Sequence, residues 1–257
     1  MALDIDKIKA RLDSVKNKNK AGGFWKPQDG QLVIRIVPTA DGDPFKDYFF
    51  HYNLGGENRS GILCPKKNFA DDCPICDFKD QLWKEYNDSS DTDTLKLAKD
   101  MSPRQRFFSP VLVRGEEAEG VRVWGYGKEA YTALLNLVLN PEYGDITDPE
   151  AGTDLVITYG KPAGASFPVT NITPRRRSSA LCEGGPQQSR ELLESVPDFD
   201  EVFAGSRKTF AEVQVMLDEY LLGEDPEAVS SETTKYNNEG KKTEGSSVDQ
   251  AFADLLG

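Results

Sequence analysis

The sequence predicts a mainly β protein with several helices, preceded by a basic arm and followed by an acidic, disordered tail. Three observations carry this. Short β-branched and aromatic runs, separated by Gly, Pro and polar turns, fill the middle of the chain. The only His and three of the four Cys stand in one short window, His51, Cys64, Cys73 and Cys76. Charge is partitioned: residues 1–190 hold 26 Lys and Arg against 27 Asp and Glu, whereas residues 191–257 hold 5 against 16. The net charge of −12 therefore belongs to the C-terminal quarter.

In chain order, Ile5, Ile8, Leu12 and Val15 recur at helical spacing over 3–16, and Lys16, Lys18 and Lys20 continue into a flexible linker. These form the arm, residues 1–23. The core, 24–222, opens with QLVIRIVP (31–38), which alternates as a strand does. DYFFHYN (47–53) and GILCP (61–65) read as further strands. After Cys76 the pattern turns helical through Phe78, Leu82 and Tyr86, and a second helix is predicted over 95–101. RFFSPVLVR (106–114) and GVRVWGY (120–126) flank the acidic turn 115–119 as a hairpin. GKEAYTALLNLVLN (127–140) is a helix stopped by Pro141. Strands over 153–160 and 165–174 and a helix over 208–222 complete the core. The tail, 223–257, is rich in Glu, Asp, Ser and Thr. It closes on VDQAFADLLG, an acidic-hydrophobic peptide of the kind that docks as a short helix.

The spacing H-x12-C-x8-C-x2-C offers one imidazole and three thiolates. Zinc takes four such donors tetrahedrally, and a Cys-x2-Cys pair is a common half-site. With all four positions filled by protein, no place remains for a catalytic water, so the predicted Zn²⁺ is single and structural. Clustered thiolates also point to a reducing compartment rather than to disulfides. Cys182 stands apart as a small thiol.

Basic and aromatic residues interleave further on. Arg104, Arg106, Phe107 and Phe108 form RQRFF, and Arg122, Trp124, Tyr126 and Lys128 fall at every second position. Period two places the latter four on one strand face, as two ring platforms between two cations, with Val121 and Val123 opposite. Rings that stack bases beside cations that pair phosphates are how sequence-tolerant single-strand binders work. Arg175, Arg176 and Arg177, in RRRSS, are the densest positive charge and suit phosphate or an acidic segment. A lone His committed to metal leaves no Ser/His or Cys/His nucleophile system, and no Walker-type loop or H-E-x-x-H motif occurs. The chain reads as a non-enzymatic single-stranded-DNA-binding protein. The alternative is a zinc-stabilised adaptor acting mainly through protein partners. The N-terminus lacks an apolar run of signal-peptide length, and no membrane partner is expected.

The zinc spacing with its Cys-Pro-x-Cys turn resembles that of the gene-32-type single-stranded-DNA-binding proteins of T-even-like bacteriophages. So does the downstream order of basic-aromatic strand, hairpin, aromatic-Gly-Lys turn and helix. The resemblance covers most of residues 24–222. It implies an OB-fold core with an inserted zinc subdomain, about 51–100, and a DNA groove between the two. It implies that Arg104, Arg106, Phe107, Phe108 and Trp124 line that groove, with Lys67 and Phe69 added from the zinc loop. It further implies cooperative contact between neighbouring protomers through the arm. Replication, recombination and repair proteins would be recruited by the tail, in the cytoplasm of an infected host cell. The family's (Lys/Arg)3(Ser/Thr)2 element is absent from residues 1–20, and a string of that form stands instead at 175–179.

Overall fold

The structure, a computed structural model, describes residues 23–52, 54 and 61–222. The helix predicted over 3–16 and the tail over 223–257 lie outside the described residues. In chain order the elements are β1 (Phe24–Trp25), β2 (Gly30–Ile36), β3 (Lys46–His51), β4 (Ile62–Leu63), α1 (Pro65–Phe69), α2 (Pro74–Ser89) and α3 (Thr92–Asp100). There follow β5 (Arg104–Val113), β6 (Arg122–Tyr126), α4 (Lys128–Val138), β7 (Gly152–Gly160), β8 (Val169–Ser179), α5 (Gly185–Glu194), α6 (Phe199–Phe203) and α7 (Phe210–Leu222). The architecture is mixed and sheet-rich, with more helix than the sequence reading assigned. Helices hold 39% and strands 27% of the described residues. The excess lies in α1, α5 and α6. Each is ten residues or shorter, too brief for periodicity to reveal.

The chain divides into two compact units. The first contains residues 23–47 and 105–202 and carries strands in the order β1-β6-β5-β2-β7-β8. All neighbours in that path pair antiparallel except β1 with β6. Alternation decides what β2 buries: Ile34 and Ile36 turn to one face with Leu155, Ile157, Val111, Val113 and Trp124. From the other face Val37, Leu112, Val121 and Leu181 meet Leu192, Leu193 and Val196 at the end of α5 and just beyond it. The expected hairpin 106–126 forms, with Phe107 opposite Tyr126 and Val111 opposite Arg122.

Arg35 breaks the pattern. Alternation would send it to solvent, yet it is fully buried. Its guanidinium pairs with Asp154 at 2.8 Å and donates to the carbonyl of Gly152 at 3.0 Å and to Ser179 Oγ at 2.7 Å. Arg114 grips the same carboxylate from the turn just after β5, at 2.9 Å, and donates to the carbonyls of Ala180 and Leu181. Burial pulls the Arg35 pKa down and the Asp154 charge pulls it back up. Gly152 is required by this packing: a Cβ there would stand 2.7 Å from Arg35 Nη1 and 2.4 Å from the Asp148 carbonyl.

The last strand differs from expectation. It runs to Ser179, so RRRSS is strand rather than loop. Register slips beside Asp154: Leu155 faces Pro174, but Thr153 faces Ser178. Arg175, Arg176 and Arg177 thus occupy a bulge opposite one residue, and all three are exposed.

The second unit contains residues 48–104 and 203–222. Here β3 pairs with β4, Phe50 opposite Leu63 and His51 opposite Ile62. Its core gathers Ile62, Ile75, Phe78, Leu82, Ala98, Met101, Val213 and Leu217 around the three clustered cysteines. The final helix α7 therefore belongs to this core. Replacing Asp154→Ala strips the countercharge from two guanidiniums and should cost about 3–5 kcal/mol of folding free energy. Urea denaturation measures this, and a loss under about 1 kcal/mol would show that the triad is not needed.

Candidate metal centre and nucleic-acid interface

His51 ends β3, and Cys64 follows β4 at the N-terminus of α1, where its sulfur accepts from the Lys67 amide at 3.4 Å. Cys73 stands at the N-terminus of α2 and Cys76 lies in its first turn. Both Cys64 and Cys73 precede a proline that occupies the opening helical turn, a position suited to a residue with no N–H to satisfy. The four donor atoms lie within 4.8 Å of one another and all four residues are buried. Cys64 and Cys76 sulfurs are 3.5 Å apart, and His51 Nε2 is 3.5 Å from Cys73 and 3.6 Å from Cys76. Metal bonds of about 2.0–2.3 Å in a tetrahedron give donor separations of roughly 3.5–3.8 Å, so the four can hold one ion.

The surroundings favour that use. His51 Nδ1 lies 3.0 Å from the Met101 carbonyl, which can only accept, so Nδ1 carries the proton and Nε2 is left as a lone pair facing the sulfurs. Hydrogen bonds from Cys73 and then Cys76 pull the Cys64 thiol down to about 3, while its bonds to Cys64 and Cys73, with burial, push Cys76 strongly up. The opposite shifts of Cys64 and Cys76 mean that one thiolate of this touching pair is favoured at the expense of the other; a cation between them would favour both.

Asn68 is a part of this centre that the sequence reading missed. Its side chain accepts from the Phe49 amide at 3.0 Å and donates to the carbonyls of Phe49 at 2.8 Å and Cys64 at 2.9 Å. One amide thus holds the edge of β3 against the Cys64 turn. Nothing in KKNF distinguishes it from a solvated loop residue.

The predicted nucleic-acid residues separate into two sets. Arg104, Arg106, Lys128, Lys67 and Arg175–Arg177 are exposed. Trp124 and Tyr126 are 1% and 3% exposed, which corrects the expectation of open ring platforms. They do share one face of β6 as period two required, but that face is the inner one. Trp25 packs edge-on against Trp124, and Tyr126 bonds through its hydroxyl to Ser109 at 2.6 Å. Burial accordingly pushes the Tyr126 phenol up. Val121 and Val123 on the opposite face are buried as well, so β6 has no outer face there. Phe107 is likewise a core residue, stacked on Tyr131 at 3.9 Å. Arg122 is half-buried and paired with Glu116. Phe69 is half-buried beneath Arg207, whose guanidinium lies 4.1 Å from the ring centre.

Comparison with known families places the chain. It belongs to the family described as gp32 DNA binding protein like, whose model matches residues 28–214. That family is one of DNA-binding proteins, in keeping with the resemblance drawn from the zinc spacing. Among curated proteins none matches the chain. No helix among the described residues is long and apolar enough to cross a membrane. Substituting Asn68→Ala leaves the Phe49 amide without its acceptor, while the carbonyls of Phe49 and Cys64 keep the backbone amides of Cys64 and Asn68, and should destabilise the second unit by about 1–3 kcal/mol. Differential scanning calorimetry decides this; a melting temperature equal to that of the unaltered chain would remove Asn68 from the account.

Proposed function

We propose that this protein is a non-enzymatic, sequence-tolerant single-stranded-DNA-binding protein. The family match over residues 28–214 carries the reading. The exposed cations support it, because neutralising phosphates releases condensed counterions and supplies affinity without reading sequence. Arg104, Arg106 and Lys128 are the proposed principal contacts. Arg175, Arg176, Arg177 and Lys67 are further candidates. The long antiparallel strands β2, β5, β6, β7 and β8 are taken as an OB-fold, a fold that recurrently binds oligonucleotides.

In this proposal the metal is a single Zn²⁺ held by His51, Cys64, Cys73 and Cys76. The donor set suits it, and when bound it would act as a staple between β3, the Cys64 turn and α2. The proposal extends to cooperative coating of exposed strands in phage replication, recombination and repair, in the host cytoplasm. Contacts of the arm 1–23 with neighbouring protomers and of the tail 223–257 with partner proteins would serve that role.

Two measurements test these parts separately. Affinity for poly-dT should fall with salt at a log–log slope of roughly −0.7 per phosphate contacted, and Arg106→Ala should reduce the slope's magnitude by about 0.7. A slope indifferent to salt would sink the electrostatic reading. For the metal, elemental analysis should find one zinc per chain, and chelation should lower the melting temperature. A metal-free protein with an unshifted melt would refute the structural role.

A further inference from the structure

Arg207 stands outside every group singled out from the sequence, in SRKTF ahead of the last helix. The residues that follow fix its backbone. Thr209 and Glu212 form a capping box: the Thr209 amide and hydroxyl both donate to Glu212 Oε2 at 2.8 Å, and the Glu212 amide donates back to Thr209 Oγ1 at 3.4 Å. These bonds hold the Glu212 carboxyl below its usual range. The acid nearest to Arg207 in sequence is therefore committed to the cap. Val213 and Leu217 then anchor α7 in the core of the second unit.

The side chain of Arg207 is held as well. Its guanidinium carbon lies 4.1 Å from the centre of the Phe69 ring. Phe69 ends α1, the five-residue helix that Cys64 caps, and is half-buried. A cation over a ring face is attracted by the ring quadrupole. That attraction leaves the hydrogen-bonding capacity of the guanidinium unused: its five N–H donors still need acceptors, and a phosphate takes two of them at once. Arg207 is exposed and forms no ion pair within 4.0 Å among the described residues. Two other cations of this unit are already paired: Lys66 lies 3.1 Å from Asp77 and 3.6 Å from Asp80, and Lys79 lies 2.7 Å from Asp80.

We propose that Arg207 is a phosphate contact for single-stranded nucleic acid on the second unit, held for that use by Phe69. An arginine that hangs free loses much rotamer freedom when it grips a ligand, and one already held on a ring loses less. A cation that serves solubility alone gains nothing from being held. Phe69 and Arg207 both lie within the span 28–214 matched by the DNA-binding family. A phosphate contact adds affinity without reading sequence. The inference rests on the single-strand-binding reading, and its test separates the two.

The full chain and its Arg207→Gln, Arg207→Lys and Phe69→Leu variants are titrated with poly-dT over a range of salt. Arg207→Gln keeps a polar stem but removes the charge. It should lower the magnitude of the log–log slope by about 0.7 and weaken binding most at low salt. Arg207→Lys should restore the slope, since the charge returns. Phe69→Leu should leave the slope unchanged and weaken binding about 2- to 5-fold at every salt concentration, the loss expected when a cation is released from a ring; unaltered affinity there would overturn the positioning role. Circular dichroism melts establish that each variant folds. Should Arg207→Gln not fold, protection of Arg207 in the unaltered chain by poly-dT against an arginine-specific dicarbonyl reagent, mapped by mass spectrometry, gives the readout. If the unaltered chain binds poly-dT while Arg207→Gln keeps its slope, or while Arg207 stays unprotected, Arg207 is only a cover for Phe69 and the inference is overturned. Protection by poly-glutamate but not by poly-dT would assign the residue to an acidic protein segment and overturn it equally. If the unaltered chain does not bind poly-dT, the function itself is overturned.

Discussion

A charge buried inside a sheet has to be neutralised where it stands, and in the first unit that requirement organises four strands. Arg35 enters from β2, Asp154 from β7, Arg114 from the turn that ends β5, and Ser179 from β8. The two guanidiniums share one carboxylate and finish their valence on backbone carbonyls. Hydrophobic faces alone would let adjacent strands slip by two residues and still bury apolar side chains. A charged pair tolerates no such slip, because any other register leaves an ion without its partner. The network is thus better understood as a registration device than as a source of net stability. It also explains two local oddities: the obligatory glycine at 152, and the bulge that sets three arginines opposite Asp154.

The second unit solves a comparable problem with softer ligands. Its segments are short: β4 has two residues and α1 has five. Isolated helices and hairpins of that size are marginal in water. The unit concentrates its donors instead, three buried sulfurs and an imidazole whose proton is fixed by the Met101 carbonyl. Asn68 then ties the strand edge to the Cys64 turn without needing a further strand. Both Cys-Pro steps start helices, so the ligand positions and the chain turns are set by the same residues.

Much of this was legible in the sequence, and the remainder was hidden for identifiable reasons. Alternation located β2, β5 and β7, and the 3.6-residue pattern located α4 and α7, because each is long enough for period to outweigh noise. The donor cluster was legible from spacing alone. Arg35 was not, since its partner Asp154 lies 119 residues away and no local pattern joins them. Trp124 and Tyr126 were placed together on the correct strand but on the wrong side of it. Period two assigns residues to faces without saying which face is inside, and Val121 and Val123 made either choice plausible. Helix α5 could have been found from Pro186 in its first turn, a helix-start signal obscured by the two preceding glycines.

The inward turn of these rings bears on how such a protein would hold a strand. Were Phe107, Trp124 and Tyr126 all exposed, stacking could rival electrostatics in the affinity, and each base would be gripped in turn. With all three in the core, most of the solvent-facing groups singled out for DNA are cations, and cations act on the phosphate chain at a distance set by screening. A strand held chiefly in this way can slide, since one phosphate is equivalent to the next.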